Sequence, residues 1–150
     1  MGIDDLNHQQ QMSGLANKQP ISHLTKDEQI AVIFDRVAAY NQTHDTSKPL
    51  FFDTETTGGG REDQIIEIAF CDSDRHVIID TLIYTDRPSS PGAFKVHGIY
   101  PHELIGKPTF IDIQPAIVQL LKGRTLYAYN ASFDVRMMRQ SGHKLRLQQV

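Results

Sequence analysis

The spacing of apolar and polar positions divides the chain into a polar leading segment, several helical segments and four short strands. Residues 1–24 are polar and rich in Gln and Asn, which is typical of a flexible tail. Residues 25–40 carry apolar side chains near the helical period, and Thr25 and Glu28 form a capping-box pattern at their start. We therefore predict a tail followed by a helix, which could pack on the rest of the chain or bind a partner.

Three apolar and β-branched segments follow this helix. They are LFFDTE at 50–55, QIIEIAFC at 64–71 and HVIIDTLIYT at 76–85. A glycine-rich break at Gly58–Gly60 separates the first two, and the turn-forming sequence from Asp72 to Asp74 separates the last two. This pattern predicts a three-stranded antiparallel meander.

The second half of the chain alternates loop, helix and strand. Residues 87–108 are rich in proline and glycine and indicate a loop, with one helical turn at HELIG. The segment FIDIQPAIVQLLKG has a helical period, and we expect Pro115 in its first turn, a cap near Asp112 and an end at Gly123. TLYAYN at 125–130 predicts a fourth strand, and ASFDVRMMRQSG predicts a helix ending at Gly142.

This order of elements predicts an α/β fold with a mixed sheet. The fourth strand follows a helical crossover, so it should run parallel to the first strand. Asp53 and Glu55 at the end of the first strand should then lie near Asp134 in the first turn of the last helix. Three convergent carboxylates suit Mg²⁺ or Mn²⁺, and two such ions could clamp a phosphodiester for attack by water.

Each of these features also has a structural explanation when taken alone. An Asp-x-Glu pair at a strand end is common in solvated turns. A single carboxylate such as Asp134 is stabilised at a helix start by the helix dipole. It is their joint occurrence that favours a site.

Charge and cysteine content narrow the classes of function. The 150-residue chain has the length of one domain and a net charge of −3. The last thirty residues nevertheless carry six basic residues and one acid, which indicates either a face for a polyanion or a solvated basic surface. The single cysteine, Cys71, excludes an internal disulfide and is predicted to be a buried apolar residue.

These features favour a cytoplasmic protein. The sequence has no apolar run long enough for a membrane span, and its first twenty residues lack a signal-peptide pattern.

Four segments resemble, in order, the motifs of the DnaQ-like DEDDh exonucleases, which include polymerase proofreading subunits and RNase T. They are FFDTETTG, QIIEIAF, KVHGIYPHELIGKPTF and YNASFD, and the resemblance covers residues 48–142. It implies an RNase H-like fold and two bound Mg²⁺ or Mn²⁺ ions. It also implies 3′–5′ hydrolysis at a single-stranded DNA or RNA end, with a DNA polymerase subunit as an expected partner.

The resemblance also implies roles for individual residues. Asp53 would bridge both metals, Glu55 would hold one of them and Asp134 would serve the other. The residues implied to contact the terminal nucleotide are Thr56, Val96, His97, Asn130 and Phe133.

Two departures from the family pattern stand out. The family's third motif, a His followed five residues later by an Asp, supplies the general base and a fourth metal carboxylate, and no such pair follows Asp134. A continued helix would place His143 about 13.5 Å along the axis and about 180° around from Asp134, so we do not expect it to replace the base. In addition, Tyr129 stands where the family commonly has a histidine.

We therefore expect residues 25–150 to form an incomplete exonuclease domain whose fourth strand is left as an edge. An exposed edge favours a partner, and a homodimer is one such completion. Three hypotheses remain open: an exonuclease, a catalytically impaired nucleic-acid-binding or polymerase-associated module, and a fragment without function.

Overall fold

The computed structural model describes residues 23–142, so the predicted tail up to residue 22 and His143 lie outside the described residues. The described part contains four helices and four strands. In chain order these are α1 Lys26–Thr43, β1 Leu50–Thr56, β2 Ile65–Asp72, β3 Val77–Leu82, α2 Pro91–His97, α3 Phe110–Leu121, β4 Leu126–Tyr127 and α4 Ala131–Ser141, with a 3₁₀ turn at Pro101–Leu104.

The four strands form one mixed sheet in the order β3-β2-β1-β4. Strands β1, β2 and β3 pair antiparallel, whereas β4 runs parallel to β1. This confirms both the predicted meander and the predicted direction of the fourth strand. β4 is shorter than predicted because it pairs only with Leu50 and Phe51 before the chain turns into α4.

One face of the sheet carries the core. Phe52 lies opposite Phe70, which lies opposite Ile79, so these three side chains point to the same side. Helices α1 and α3 pack against each other, and α1 also packs against β3. Their buried residues, including Ile33, Val37 and Ile117, join the same apolar cluster. Helix α1 is therefore part of the fold and not an appendage to it.

The predicted capping box at the start of α1 is present. The Thr25 hydroxyl accepts the Glu28 backbone N–H at 3.2 Å, and the Glu28 carboxylate accepts the Thr25 N–H at 3.2 Å. The helix begins as predicted and continues to Thr43, three residues past the predicted end.

The predicted start of α3 was wrong. A capping box between Thr109 and Asp112 begins the helix at Phe110, because each of the two residues accepts the backbone N–H of the other. Pro115 therefore lies in the second helical turn and not in the first. The predicted end is confirmed, since Gly123 follows the helix with a positive φ of 75°.

The segment predicted as a loop contains a helix. Ser90 caps α2 by accepting the Ala93 N–H, Pro91 occupies the first turn, and Gly98 ends the helix with a φ of 64°. Proline and glycine here mark the two ends of a short helix, whereas their frequency in the sequence predicts a loop.

Two simpler predictions concern burial and membranes. Cys71 is buried, with 2% of its surface exposed, as predicted. None of the helices within residues 23–142 is long and apolar enough to cross a membrane.

Candidate active site

Strand β1 presents its two carboxylates on the face opposite the core. Asp53 and Glu55 are two residues apart, so both side chains point away from the Phe52 side. Asp53 lies opposite Ala69, which lies opposite Asp80, and Glu55 lies opposite Glu67. One sheet face thus carries four carboxylates on three neighbouring strands, of which only the first two were predicted.

Glu67 shows the strongest electrostatic perturbation on this face. Burial raises the pKa of Glu67 to about 8, and the negative charges of Asp80, Glu55 and Asp53 add to the effect. Burial likewise raises the pKa of Asp80, although the charge of Arg36 opposes the shift. The sequence signal for Glu67 is a single acid inside the apolar run QIIEIAF, and that signal alone predicts no functional role.

Asp134 reaches β1 from the first turn of α4. The Thr54 hydroxyl donates to Asp134 Oδ1 at 2.5 Å, which fixes the start of α4 against the strand. Burial raises the pKa of Asp134, the bond from Thr54 opposes this, and the charge of Asp53 raises it further. The predicted proximity of Asp53 and Asp134 is therefore present in the structure.

The three predicted metal carboxylates do not converge tightly on one position. Within residues 23–142, a different set of three potential ligands has atoms that all lie within 4.8 Å of one another, namely His44, Asp72 and His76. Asp53, Glu55 and Asp134 do not form such a set. Their chemistry nevertheless fits a hard divalent cation, because like charges raise the pKa of neighbouring carboxyls and a cation would relieve that repulsion.

The glycine-rich loop after β1 closes around Asp63. The Asp63 carboxylate accepts hydrogen bonds from the Thr57 hydroxyl, the Gly60 N–H and the Arg87 guanidinium. Burial alone would raise the pKa of Asp63, but these three partners outweigh it and hold the pKa below its usual value. These hydrogen bonds thus order the loop between β1 and β2 and hold the end of β1 in a defined position.

His97 lies beside the end of β1. Its Nδ1 accepts the Ile99 N–H at 2.9 Å, which assigns the ring proton to Nε2, and Nε2 lies 3.1 Å from Ser89 Oγ. Burial lowers the pKa of His97, and a hydrogen bond with the Thr56 backbone opposes that shift. A predicted substrate residue therefore adjoins the strand that carries Asp53 and Glu55.

The remaining predicted substrate residues lie in different environments. Val96 is 62% exposed and Asn130 is also exposed. Phe133 is half-buried beneath the Arg136 guanidinium, 5.4 Å from its ring centre, and faces the loop at Gly59. Thr56 is buried and donates its hydroxyl to the Gly58 carbonyl at 2.9 Å.

Within residues 23–142, two of the four basic residues that follow α3 have internal partners. Arg124 donates to the carbonyls of Leu120, Asp45 and Lys48, so it ties α3 to the start of β1. Arg136 donates to the Gly59 carbonyl at 2.9 Å. These contacts give the two arginines structural roles, so the basic composition by itself does not identify a polyanion surface.

Comparison with solved structures defines the class of fold. A product-bound structure of exonuclease I superimposes with a TM-score of 0.54 and 28% identity, over 62% of this chain and 24% of that chain. A complex of E. coli exonuclease I with a dT13 oligonucleotide gives a TM-score of 0.52 at the same identity, over 62% of this chain and 23% of that one. The mixed sheet with its helices is thus an RNase H-like fold, as predicted.

The family follows from the sequence. Residues 50–150 match the family model RNase_T, described as exonuclease, and the chain therefore belongs to this exonuclease family. This confirms the resemblance to the DnaQ-like exonucleases.

Individual relatives agree with the family assignment. The chain is 43% identical over 91 residues to DNA polymerase III subunit epsilon of Treponema pallidum, covering 58% of this chain and 42% of that protein. It is 35% identical over 92 residues to an uncharacterised exonuclease of Escherichia phage 186, covering 61% of this chain and 47% of that protein. The chain thus spans less than half the length of these relatives.

Proposed function

We propose that this chain carries the metal-binding part of a 3′–5′ exonuclease that removes nucleotides from the end of single-stranded DNA or RNA. The observation that carries the proposal is the junction of β1 and α4. There Thr54 holds Asp134 against the strand that also bears Asp53 and Glu55. Membership of the exonuclease family supports the same reading of this junction.

In this proposal Asp53, Glu55 and Asp134 hold two Mg²⁺ or Mn²⁺ ions. Bound there, the ions would polarise the phosphodiester and activate water. The protein's part is to present these carboxylates together, and the pKa of Asp134 is raised by burial and by the charge of Asp53. Binding a cation would favour their charged forms, so ion binding and carboxylate ionisation are coupled.

We assign nucleotide binding to Thr56 at the end of β1 and to side chains of α2 and of the start of α4. Val96 and Phe133 offer apolar surface for a terminal base, and apolar stacking does not depend on base identity. Neutral His97 and Asn130 add polar contacts, and Thr56 shapes the loop from within. Solved complexes of E. coli exonuclease I contain dT13 and dA16, which agrees with a surface that accepts different bases.

The family's third motif bears on the rate expected of this chain. No His followed five residues later by Asp occurs after Asp134. Loss of a general base commonly lowers a rate by about 10²–10⁴-fold. We therefore expect slow hydrolysis by these 150 residues, unless a second copy or further protein supplies the missing groups.

A second candidate is a nucleic-acid-binding module associated with a polymerase. Similarity to polymerase III epsilon subunits favours it. Such a module would bind a single-stranded oligonucleotide in EDTA and would leave it intact when metal is added.

The test is the degradation of a 5′-labelled single-stranded oligonucleotide in Mg²⁺ or Mn²⁺ by the wild-type chain and by two isosteric variants, Asp53→Asn and Asp134→Asn. Asp35→Asn is the matched control, because Asp35 is an exposed carboxylate on α1. Circular dichroism confirms that each variant is folded.

The proposal expects a stepwise ladder from the 3′ end that both site variants lose and the control keeps. A ladder that survives Asp53→Asn would contradict the assignment of the metal ligands. Tight binding in EDTA with no ladder under any metal would favour the second candidate.

A further inference from the structure

A second cluster of potential metal ligands lies at the other end of the sheet. Asp72 ends β2 and pairs with Leu50, the first residue of β1, whereas Glu55 lies five residues further along that strand. At about 3.3 Å per residue, this separation is about 17 Å. The cluster is therefore distinct from the candidate active site.

Three elements bring the cluster together. His44 caps the end of α1, Asp72 ends β2, and His76 follows the turn that leads into β3. One ligand atom from each of the three lies within 4.8 Å of the others. The two imidazole rings have centroids 5.2 Å apart and meet edge to face.

We propose that His44, Asp72 and His76 form a binding site for Zn²⁺ or a similar transition-metal ion. Two imidazole nitrogens, one carboxylate oxygen and a water would complete a tetrahedral donor set. Imidazole ligands favour zinc-type ions, whereas Mg²⁺ favours an all-oxygen set. The ligand chemistry thus separates this site from the carboxylate site at the far end of β1.

The spacing of two of the ligands already suits a tetrahedral ion. His76 Nδ1 lies 3.1 Å from Asp72 Oδ2. Ligands about 2.05 Å from a tetrahedral centre are about 3.3 Å apart. An ion bound to both atoms would displace a proton from Nδ1, so metal binding would be coupled to proton release.

The carboxylate is held in place by the backbone and by Tyr40. Asp72 Oδ1 accepts the N–H groups of Asp74 and His76, both at 2.9 Å, and Oδ2 accepts the Tyr40 hydroxyl at 2.8 Å. Such outer hydrogen bonds orient metal ligands. Burial alone would raise the pKa of Asp72, but the bonds from His76 and Tyr40 outweigh it and favour the ionised form.

His44 is oriented by its neighbours so that one nitrogen remains for an ion. Its ring stacks on Tyr40 at a centroid distance of 4.1 Å. Nδ1 lies 2.8 Å from Thr43 Oγ1 and 3.3 Å from the Tyr40 carbonyl, so Nε2 is the nitrogen assigned to the metal. One ligand atom of this ring already lies within 4.8 Å of those of Asp72 and His76.

The proposed metal site is open to solvent, and the charges around it act on a cation in opposite directions. The His76 side chain is 59% exposed while that of Asp72 is 5% exposed, so an ion could enter from solvent and meet a fixed carboxylate. The Arg124 guanidinium, 5.1 Å from the Tyr40 ring centre, opposes a cation. The carboxyl end of α1, where His44 lies, favours one.

The experiment is a calorimetric titration of Zn²⁺ into the full chain, produced without a histidine tag. An Asp53→Asn, Asp134→Asn background removes the first candidate site, so its metal binding is not counted. His44→Gln and His76→Gln are then added separately. His102→Gln is the matched control, because His102 is exposed on the 3₁₀ turn.

We expect one Zn²⁺ per chain in the background protein and in the His102→Gln control. Each of the other two histidine variants should bind Zn²⁺ at least tenfold more weakly. Excess Mg²⁺ should not displace the bound Zn²⁺. Equal Zn²⁺ affinity in all the proteins would overturn the proposal.

A spectroscopic measurement keeps the test valid if a variant fails to fold. In ¹⁵N-histidine spectra of the background protein, one equivalent of Zn²⁺ should shift His76 Nδ1 and His44 Nε2. Unshifted resonances of these two nitrogens at one equivalent would overturn the proposal whatever the calorimetry shows. Because the background lacks two active-site carboxylates, this outcome is independent of the proposed exonuclease function.

Discussion

Asp63 explains why glycine stands at two positions in the loop after β1. A Cβ atom added at Gly58 would lie 2.7 Å from Asp63 Oδ2, and one added at Gly60 would lie 2.9 Å from the same oxygen. Asp63 cannot move away without losing its hydrogen bonds to Thr57 and Arg87. The glycines thus permit a buried carboxylate to organise the loop beside the candidate active site.

We expect Gly58→Ala to destabilise the protein by about 1–3 kcal/mol, because an added methyl group overpacks a fixed site. Urea denaturation followed by circular dichroism measures the change in the free energy of unfolding. Gly92→Ala is the matched control, since a Cβ there meets nothing within 4 Å and the residue lies in α2. Equal free energies of unfolding for the two variants would show that Asp63 is not a fixed neighbour.

Glu67 predicts a pH dependence of stability. The pKa of Glu67 is about 8 in the folded protein, against an ordinary value of 4.5, so the folded state favours the protonated carboxyl. The contribution of Glu67 to the free energy of unfolding is therefore complete below about pH 4.5. That contribution is lost as the pH rises through 8, because the folded state then holds a buried charge near Asp53, Glu55 and Asp80.

Glu67→Gln should therefore stabilise the protein at pH 8.5 and have little effect near pH 4.5. A shift of this size corresponds to about 2–4 kcal/mol when allowance is made for solvent screening. Urea denaturation in EDTA at several pH values measures the difference between variant and wild type. Glu62→Gln, at an exposed position, should show no such trend, and a pH-independent difference for Glu67→Gln would refute the shifted pKa.

Helix α3 contains a local conflict between its sequence and its conformation. Pro115 is the sixth residue of the helix, so it lacks the N–H that would bond to the Ile111 carbonyl. The helix persists because its capping box and its buried face, which includes Ile113, Ile117 and Leu120, hold it in place. Tertiary packing here outweighs the intrinsic preference of one residue.

We expect Pro115→Ala to stabilise the protein by about 1–2 kcal/mol. The gain from the restored hydrogen bond exceeds the added entropy of the unfolded chain, which is about 0.4–1 kcal/mol. Differential scanning calorimetry measures the shift in Tm. Pro101→Ala, at the start of the 3₁₀ turn where proline is well tolerated, should give no gain, and a fall in Tm for Pro115→Ala would contradict the expectation.

Helix α1 contributes to the hydrophobic core of the whole molecule, although the family match begins only at residue 50. Ile33 is 2% exposed and Val37 is fully buried, and both join the cluster that includes Phe70 and Ile117. Tyr40 links the same helix to Asp72 at the end of β2. The structure thus favours packing on the sheet as the role of this helix.

Replacing both Ile33 and Val37 with alanine should remove most of the stability of the chain. Each large-to-small change of this kind costs about 1–4 kcal/mol, against a total of about 5–15 kcal/mol for a domain. Loss of a cooperative thermal transition is the expected result. Val32→Ala on the same helix, at a half-buried position, should keep the transition; an unchanged transition in the double variant would mean that α1 is dispensable.

The sheet ends in β4, whose described pairing is with β1 alone. Phe51 and Tyr127 stack there with ring centroids 5.5 Å apart, and they are 39% and 51% exposed. Exposed aromatic groups beside a strand edge are the kind of surface that another segment or chain covers. This agrees with a chain that spans less than half the length of its epsilon relatives.

The sequence by itself determined what depends on neighbours along the chain. Its periodicities predicted β1, β2, β3, α1 and α4, and it placed Asp53 and Glu55 on one face because a strand alternates with a period of two. The capping box of Thr25 and Glu28 was readable because its partners are three residues apart. The short α2 was missed because proline and glycine mark loops and helix ends alike.

Only the tertiary structure decided which distant residues meet. Strand register placed Glu67 opposite Glu55 and Asp80 near them, and burial then raised the pKa of Glu67. The packing of α1 on the sheet brought His44 to His76, 32 positions away in the chain. Burial and charge interactions depend on distances in space, and the periodicity of the sequence does not determine those distances.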